Sequence, residues 1–181
     1  DTKSGVEEAT KERNYHLILL AKNANGYKNL SILSSKAYLE GFYYKPRIDW
    51  ELLEQHHDDL ICLTACMQGE VPNLLLNSRD NEAYQKAARL AEMFGPNNFY
   101  LEIQDNGYEE QITINRKLLA LSKKMNLPLV ATNDCHYLKK EDAELHDILL
   151  CVQTGKTLDD PNRLRFRHDS FYYKSPDEMK T

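Results

Sequence analysis

Short apolar runs alternating with helical patterns constrain this chain more than any other feature. His16 to Ala21 reads as a buried strand, apolar on both faces. A helix is expected from about Tyr27, burying Leu30, Leu33 and Ala37 and stopping at Gly41. Leu60 to Thr64 is a second strand, and Val71 to Leu76 a short helix that tolerates Pro72 in its first turn. Asp80 is placed as the cap of a helix turning Tyr84, Ala88, Ala91 and Phe94 inward, ended by Gly95-Pro96. Phe99 to Ile103 is a third strand. The helix after it, from about Tyr108 to Met125, carries the stripe Ile114, Leu118, Leu121 and Met125. Leu129 to Thr132 is a fourth strand, followed by a helix from Glu141 to Gln153 buried through Leu145, Ile148, Leu149 and Val152. Phe171 to Lys174 is a candidate fifth strand. Strand and helix in this rhythm predict an α/β fold of parallel βα units.

Composition narrows the function classes. The chain has 181 residues, 41% apolar and 28% charged, with a formal net charge of −5. That balance lacks the basic footprint of an autonomous nucleic-acid binder, although metal ions can supply the positive charge that meets phosphate. No long apolar run suggests a membrane span, and no signal peptide opens the chain. Cys62, Cys66, Cys135 and Cys151 are too few and too irregular for a disulfide framework, which favours a reducing, cytoplasmic setting. The opening Asp1-Thr2-Lys3 and the helix-start signal at Ser175-Pro176 read as an internal fragment of a longer polypeptide.

Polar residues at strand ends carry the chemical signal. Asp134 and His136 follow the fourth strand two residues apart, so strand alternation would aim both the same way. Such a pair suits a divalent cation at the open end of a parallel sheet; the bland alternative is a helix-capping aspartate beside an exposed histidine. His16 enters an apolar run at what the simple rule makes the wrong end, and its other reading is a histidine bonded to backbone. Cys66 sits at a strand-to-loop junction, where a small buried hydrophobe is the alternative to a ligand. Glu102, within the third strand, is read as structural or supporting. His56-His57 at a helix end suits the dipole. Arg163, Arg165, Arg167 and His168 form a basic cluster in an acidic chain, either salt-bridged or facing DNA phosphate.

Several long motifs stand in register with a known family. These are His16-Leu-Ile-Leu-Leu-Ala-Lys-Asn23 with Asn25-Gly26-Tyr27, Leu63-Thr64-Ala65-Cys66-Met67-Gln68-Gly69-Glu70, Asn98-Phe99-Tyr100-Leu101-Glu102-Ile103, Ala131-Thr132-Asn133-Asp134-Cys135-His136-Tyr137 and His146 through Lys156. Together they resemble the polymerase and histidinol phosphatase (PHP) domain at the N-terminus of bacterial DNA polymerase III alpha subunits. The resemblance implies part of a distorted (β/α)7 barrel lacking its N-terminal strands. It implies a polar, disordered leader at 1–14, the partial PHP domain at 15–160 and an exit segment at 161–181 toward the polymerase core.

By the same resemblance, His16 and Cys66 match ligands of one metal, Asp134 of a second and His136 of a third. The ions are zinc or manganese in the intact domain, held weakly or not at all by this chain, since the family's remaining ligands come from earlier motifs. The parent is implied to be a DNA-directed DNA polymerase whose PHP site performs 3′–5′ proofreading hydrolysis. The alternative is a non-catalytic scaffold that braces the polymerase and docks a separate exonuclease. DNA, a proofreading exonuclease subunit and other replicase subunits are the implied partners. Missing strands would leave apolar edges exposed.

Overall fold

In a computed structural model, which describes residues 14–180, four strands and six helices form a mixed α/β layer structure. The leader expected at 1–14 thus lies, apart from Asn14, outside the described residues. The strands are β1 (Ile18–Ala21), β2 (Leu60–Leu63), β3 (Phe99–Gln104) and β4 (Leu129–Thr132), hydrogen-bonded in the order β1-β2-β3-β4. The helices are α1 (Ala24–Leu39), α2 (Trp50–Gln55), α3 (Glu70–Leu76), α4 (Asp80–Phe94), α5 (Glu109–Met125) and α6 (Ala143–Thr154). Phe171 to Lys174 is not a strand; it contributes one parallel bridge, Tyr137 to Tyr172, although Phe171 itself is buried.

β2, β3 and β4 are parallel, as the strand–helix rhythm predicts, but β1 runs antiparallel to β2, with Ile18 opposite Leu63 and Ala21 opposite Leu60. The reason is local. Asn23 caps α1 through the Asn25 and Gly26 amides, so the helix starts at once after β1. The loop before β2 is then tied to that helix start: the Lys22 amide donates to Asp59 O, the Asn25 side chain to Asp59 and the Asn29 side chain to Asp58 O. Gly26 permits the approach, since a Cβ there would lie 2.1 Å from Asp59 O. With the end of β1 pinned beside the start of β2, only an antiparallel pairing is open.

The core lies on the helix-covered side of the sheet. Leu60 and Cys62, Phe99 and Leu101, Val71 and Leu74, and Ile114 and Leu118 are buried there together. α4 packs through Phe94, as expected, and through Ala83, Ala87 and Leu90, each one position before the expected Tyr84, Ala88 and Ala91. The alanines let its backbone approach closely, whereas Tyr84 turns to the surface beneath the Lys124 ammonium. Asp80 does not cap α4. It occupies the first turn and pairs with Lys117 at 3.0 Å.

The expected burial of α6 is reversed. Leu145, Ile148, Leu149 and Val152 are exposed while Leu150 and Cys151 are buried, because α6 lies at the margin and packs mainly on the turn before it. Among the described residues no helix is long and apolar enough to cross a membrane. α5 ends on Asn126 at φ 53, the left-handed conformation of a helix C-cap. Asn126→Ala should cost about 1 kcal/mol and Asn126→Gly almost nothing, as read by urea denaturation.

Candidate metal centre

Strand reversal decides where His16 falls. Because β1 is antiparallel, its beginning lies beside the C-terminal ends of β2, β3 and β4, where a parallel sheet collects its functional side chains. His16 bridges Gly69 and its amide donates to Gln68 O at 3.0 Å, which sets it against the loop after β2. The direction of β1 thereby removes the objection that His16 occupies the wrong end. Its ring Nδ1 stands 3.6 Å from Cys66 Sγ.

That separation is informative. A thiolate and an imidazole on one tetrahedral zinc ion stand roughly 3.6 Å apart, from Zn–S and Zn–N bonds of about 2.3 and 2.1 Å. As it stands the contact is a weak thiol–imidazole hydrogen bond. Burial pushes the Cys66 thiol up; hydrogen bonding at the Gln68 backbone opposes this, and the negative charges of Asp134 and Glu102 add to the rise. Asp134 therefore lies within electrostatic reach of the Cys66 thiol, and a soft-plus-hard set of thiol, imidazole and carboxylate is of a kind that suits a divalent cation.

His136 is oriented differently. β4 ends at Thr132 and Asp134 sits at φ 50, so strand alternation does not extend to positions 134 and 136. The expectation that the two side chains leave the strand in parallel is corrected accordingly. The His136 ring packs edge-on against Phe166 and Phe171, with centroids 4.8 and 5.4 Å away, and near His146 at 5.7 Å. Its Nδ1 is 2.7 Å from Asp134 O and its amide donates to Phe171 O. A proton on Nδ1 leaves Nε2 as the available donor atom, the arrangement common in metal-binding histidines. Among the described residues no three His, Cys, Asp or Glu side chains form a ready coordination group. His16 and Cys66 meet, Asp134 acts on the Cys66 thiol only through its charge, and His136 stands in its aromatic nest.

Two supporting networks hold these tips. Glu102 is buried on β3, where one carboxylate oxygen accepts from the Thr132 hydroxyl and from Gln104 Nε2; the other has no hydrogen-bond partner. This agrees with the supporting role read from its place in the strand. The second network was invisible in the sequence. Asn106, fully buried, donates to Asn133 O at 2.9 Å and accepts from Gln111 Nε2, while Ser170 donates to Asn106 O. Asn133 in turn donates to Ser170 O and Tyr172 O. A polar Asn106 between a strand and a helix reads as loop, and only a contact with position 170 reveals its use.

The remaining histidines and arginines are largely structural. His57 Nδ1 lies 2.7 Å from Glu54 O at the end of α2, as its position at a helix terminus suggests. Arg163 makes a two-pronged pair with Asp147 and holds that carboxyl below its ordinary range. Cys135 is exposed, with its thiol toward Tyr172 O, whereas Cys62 and Cys151 are buried. Burial, with Glu102 nearby, pushes the Cys62 thiol far up. Timed iodoacetamide labelling should mark Cys135 first and leave Cys62 and Cys151 unmodified until the chain is unfolded.

Residues 2–106 match the family model of the PHP domain, a span that holds His16 and Cys66 and ends before Asp134. The chain is 50% identical over 173 residues to the DNA polymerase III subunit alpha of Treponema pallidum, covering 96% of this chain and 15% of that protein. It is 48% identical over 166 residues to the Thermus aquaticus protein of that name, covering 92% and 14%. Against the Borreliella burgdorferi protein the figures are 47% over 165 residues, 91% and 14%. The chain therefore spans only about one seventh of the curated relatives it matches.

Proposed function

This chain belongs to the PHP domain family, and from that premise we propose that it is the portion of a DNA polymerase III alpha-type subunit that contributes a dication site for 3′–5′ phosphodiester hydrolysis. The observation that carries the reading is the His16–Cys66 contact at 3.6 Å with Asp134 in electrostatic reach. His16 and Cys66 would hold one zinc or manganese ion, with Asp134 and the Nε2 of His136 serving neighbouring positions. The ions, when bound, supply positive charge for the phosphate and activation of water. Asp134 contributes negative charge that favours cation entry, and Thr132 and Gln104 keep the Glu102 carboxylate fixed behind the site. The Asp134 carbonyl fixes which ring nitrogen of His136 carries the proton.

This chain alone offers each ion at most two protein donors, so its own grip on metal is weak. In the longer protein the domain would act on the primer end of DNA, inside a (β/α)7 barrel, as one part of a cytoplasmic replicase. A second reading has its own support. His136 is turned into an aromatic nest, as suits a scaffold that braces the polymerase and docks a separate exonuclease.

The deciding experiment uses the longer polypeptide that carries this chain. With added Mn2+ or Zn2+, a mismatched primer end should be shortened, and Asp134→Asn or Cys66→Ser should abolish shortening while leaving polymerisation intact. Absence of metal-dependent shortening in the unaltered protein, or loss of polymerisation alone in the variants, establishes the scaffold instead.

A further inference from the structure

Two features outside the metal centre share a boundary with it. The first is the turn after α1. Tyr38, Phe42, Tyr43 and Tyr44 are all exposed, and Tyr44, at 84%, is held at φ 59, a conformation that bulky residues rarely adopt. Tyr38 and Phe42 stack at 6.3 Å, and the Arg47 guanidinium lies over the Tyr43 ring at 4.9 Å. Between residues 36 and 47 there are three cations, Lys36, Lys45 and Arg47, against one carboxylate, Glu40, in a chain of net charge −5. Flat aromatic faces interleaved with positive charge form the surface on which unpaired bases stack.

The second feature is an open cavity of about 580 Å³. Arg165 and Arg167 line it, with Tyr108 and Glu110, and so do Met67 and Gln68, the two residues that follow Cys66. Arg163 is occupied by Asp147, which also feels the charge of Arg165, but among the described residues neither Arg165 nor Arg167 makes an ion pair. Asn14 joins the two features. It lines the cavity, accepts from Arg47 Nη1 at 3.2 Å, and precedes His16 by two residues.

We propose that the aromatic turn at 38–47 and the Arg165–Arg167 cavity form one track for single-stranded nucleic acid, joined at Asn14 and ending at the His16–Cys66 pair. The proposal rests on the phosphodiester reading of that pair and names its substrate as an unpaired strand end. Bases stack on Tyr43 and Tyr44, while Arg165 and Arg167 take backbone phosphates. Glu110 limits the charge of the cavity, which leaves aromatic contact to carry much of the affinity. The stacked interior bases of a duplex cannot present their faces to the tyrosines, so duplex is disfavoured by geometry.

The test uses the full 181-residue chain and a fluorescent oligo(dT) of about 20 nucleotides, followed by anisotropy in low salt with EDTA present. Duplex of equal length and inorganic polyphosphate serve as competitors. The single strand should bind at least about tenfold more tightly than duplex, and Tyr43→Ala/Tyr44→Ala should weaken it by about tenfold or more. Tyr44→Phe should retain affinity, and Arg165→Gln/Arg167→Gln should weaken binding and flatten its salt dependence. These side chains are exposed, and circular dichroism checks that each variant is folded.

Undetectable binding, equal binding of duplex, or indifference to the tyrosine pair would overturn the track. Loss with the arginine variants alone, matched by polyphosphate competition, would reduce it to general anion attraction and overturn it too. A concentration-dependent dimer abolished by Tyr44→Ala would assign the aromatic turn to a second copy of the chain. EDTA separates this test from that of the metal centre: single-strand binding by the chain with no metal-dependent shortening by the longer polypeptide sinks only the proposed function, and shortening without tyrosine-dependent binding sinks only the track.

Discussion

Gly69→Ala is expected to lower stability by about 3 kcal/mol and the melting temperature by roughly 6–12 °C, while separating His16 from Cys66. A Cβ at this position would lie 2.0 Å from Thr64 O and 3.2 Å from Cys66 O. Both are backbone atoms, so no side-chain rotation relieves the clash. Gly69 has φ −67, which places the requirement in close approach and not in glycine's conformational freedom. Three links run through this point: the Gly69 amide donates to Cys66 O, the Asn73 amide donates to Gly69 O at the start of α3, and the neighbouring Gln68 O accepts from His16. A shift that admits one methyl must displace at least one of them. Gly95→Ala is the control, because its site has open space but φ 71; that change should cost about 1–2 kcal/mol and leave the His16–Cys66 contact unaltered. Urea denaturation measures both, and equal costs would show that close approach at Gly69 is not the constraint.

Asn106→Ala is expected to cost roughly 2–5 kcal/mol, because it strands buried groups on both sides. Asn133 O loses its donor and Gln111 Nε2 loses its acceptor, while the backbone amide of residue 106 still donates to Gln111 Oε1. Asn106 is fully buried, so water does not readily replace these partners. The site should feel the change through Asn133, which ties β4 to the segment at 170–172, and through the His136 amide bonded to Phe171 O. Hydrogen exchange at the His136 amide should speed up well beyond the change at Leu101, buried in the middle of the sheet. A uniform change across both positions would show that Asn106 acts on global stability alone.

Local patterns proved legible where one element's own periodicity decides its place. The 3.6-residue stripe of α5 buries Ile114, Leu118 and Leu121 as read, and β4 runs from Leu129 to Thr132 as read. In α4, Phe94 is buried as read, but the earlier part of the stripe falls one position away because the rule favours large apolar residues, whereas close packing favoured Ala83 and Ala87. α6 failed for a related reason: its apolar stripe exists, but no layer among the described residues lies over it. In the candidate centre, the residue types and their positions at strand ends were readable. The meeting of His16 with Cys66 across 50 positions was not, and neither was the Asn106 network reaching residue 170.

What the sequence determined by itself is the chemistry available: a thiol, imidazoles and a carboxylate placed at the ends of apolar runs, within a strand–helix alternation that allows few folds. What only the tertiary structure decided is which of these groups come together. Strand direction depends on where a loop is pinned, and the Asp59 contacts with Lys22 and Asn25 reverse β1, carrying His16 to the end of the sheet that holds Cys66. Side-chain direction depends on backbone beyond a strand's end, and φ 50 at Asp134 sends it and His136 out of the alternation. Both are long-range or single-residue backbone effects, and a periodic pattern carries no record of either.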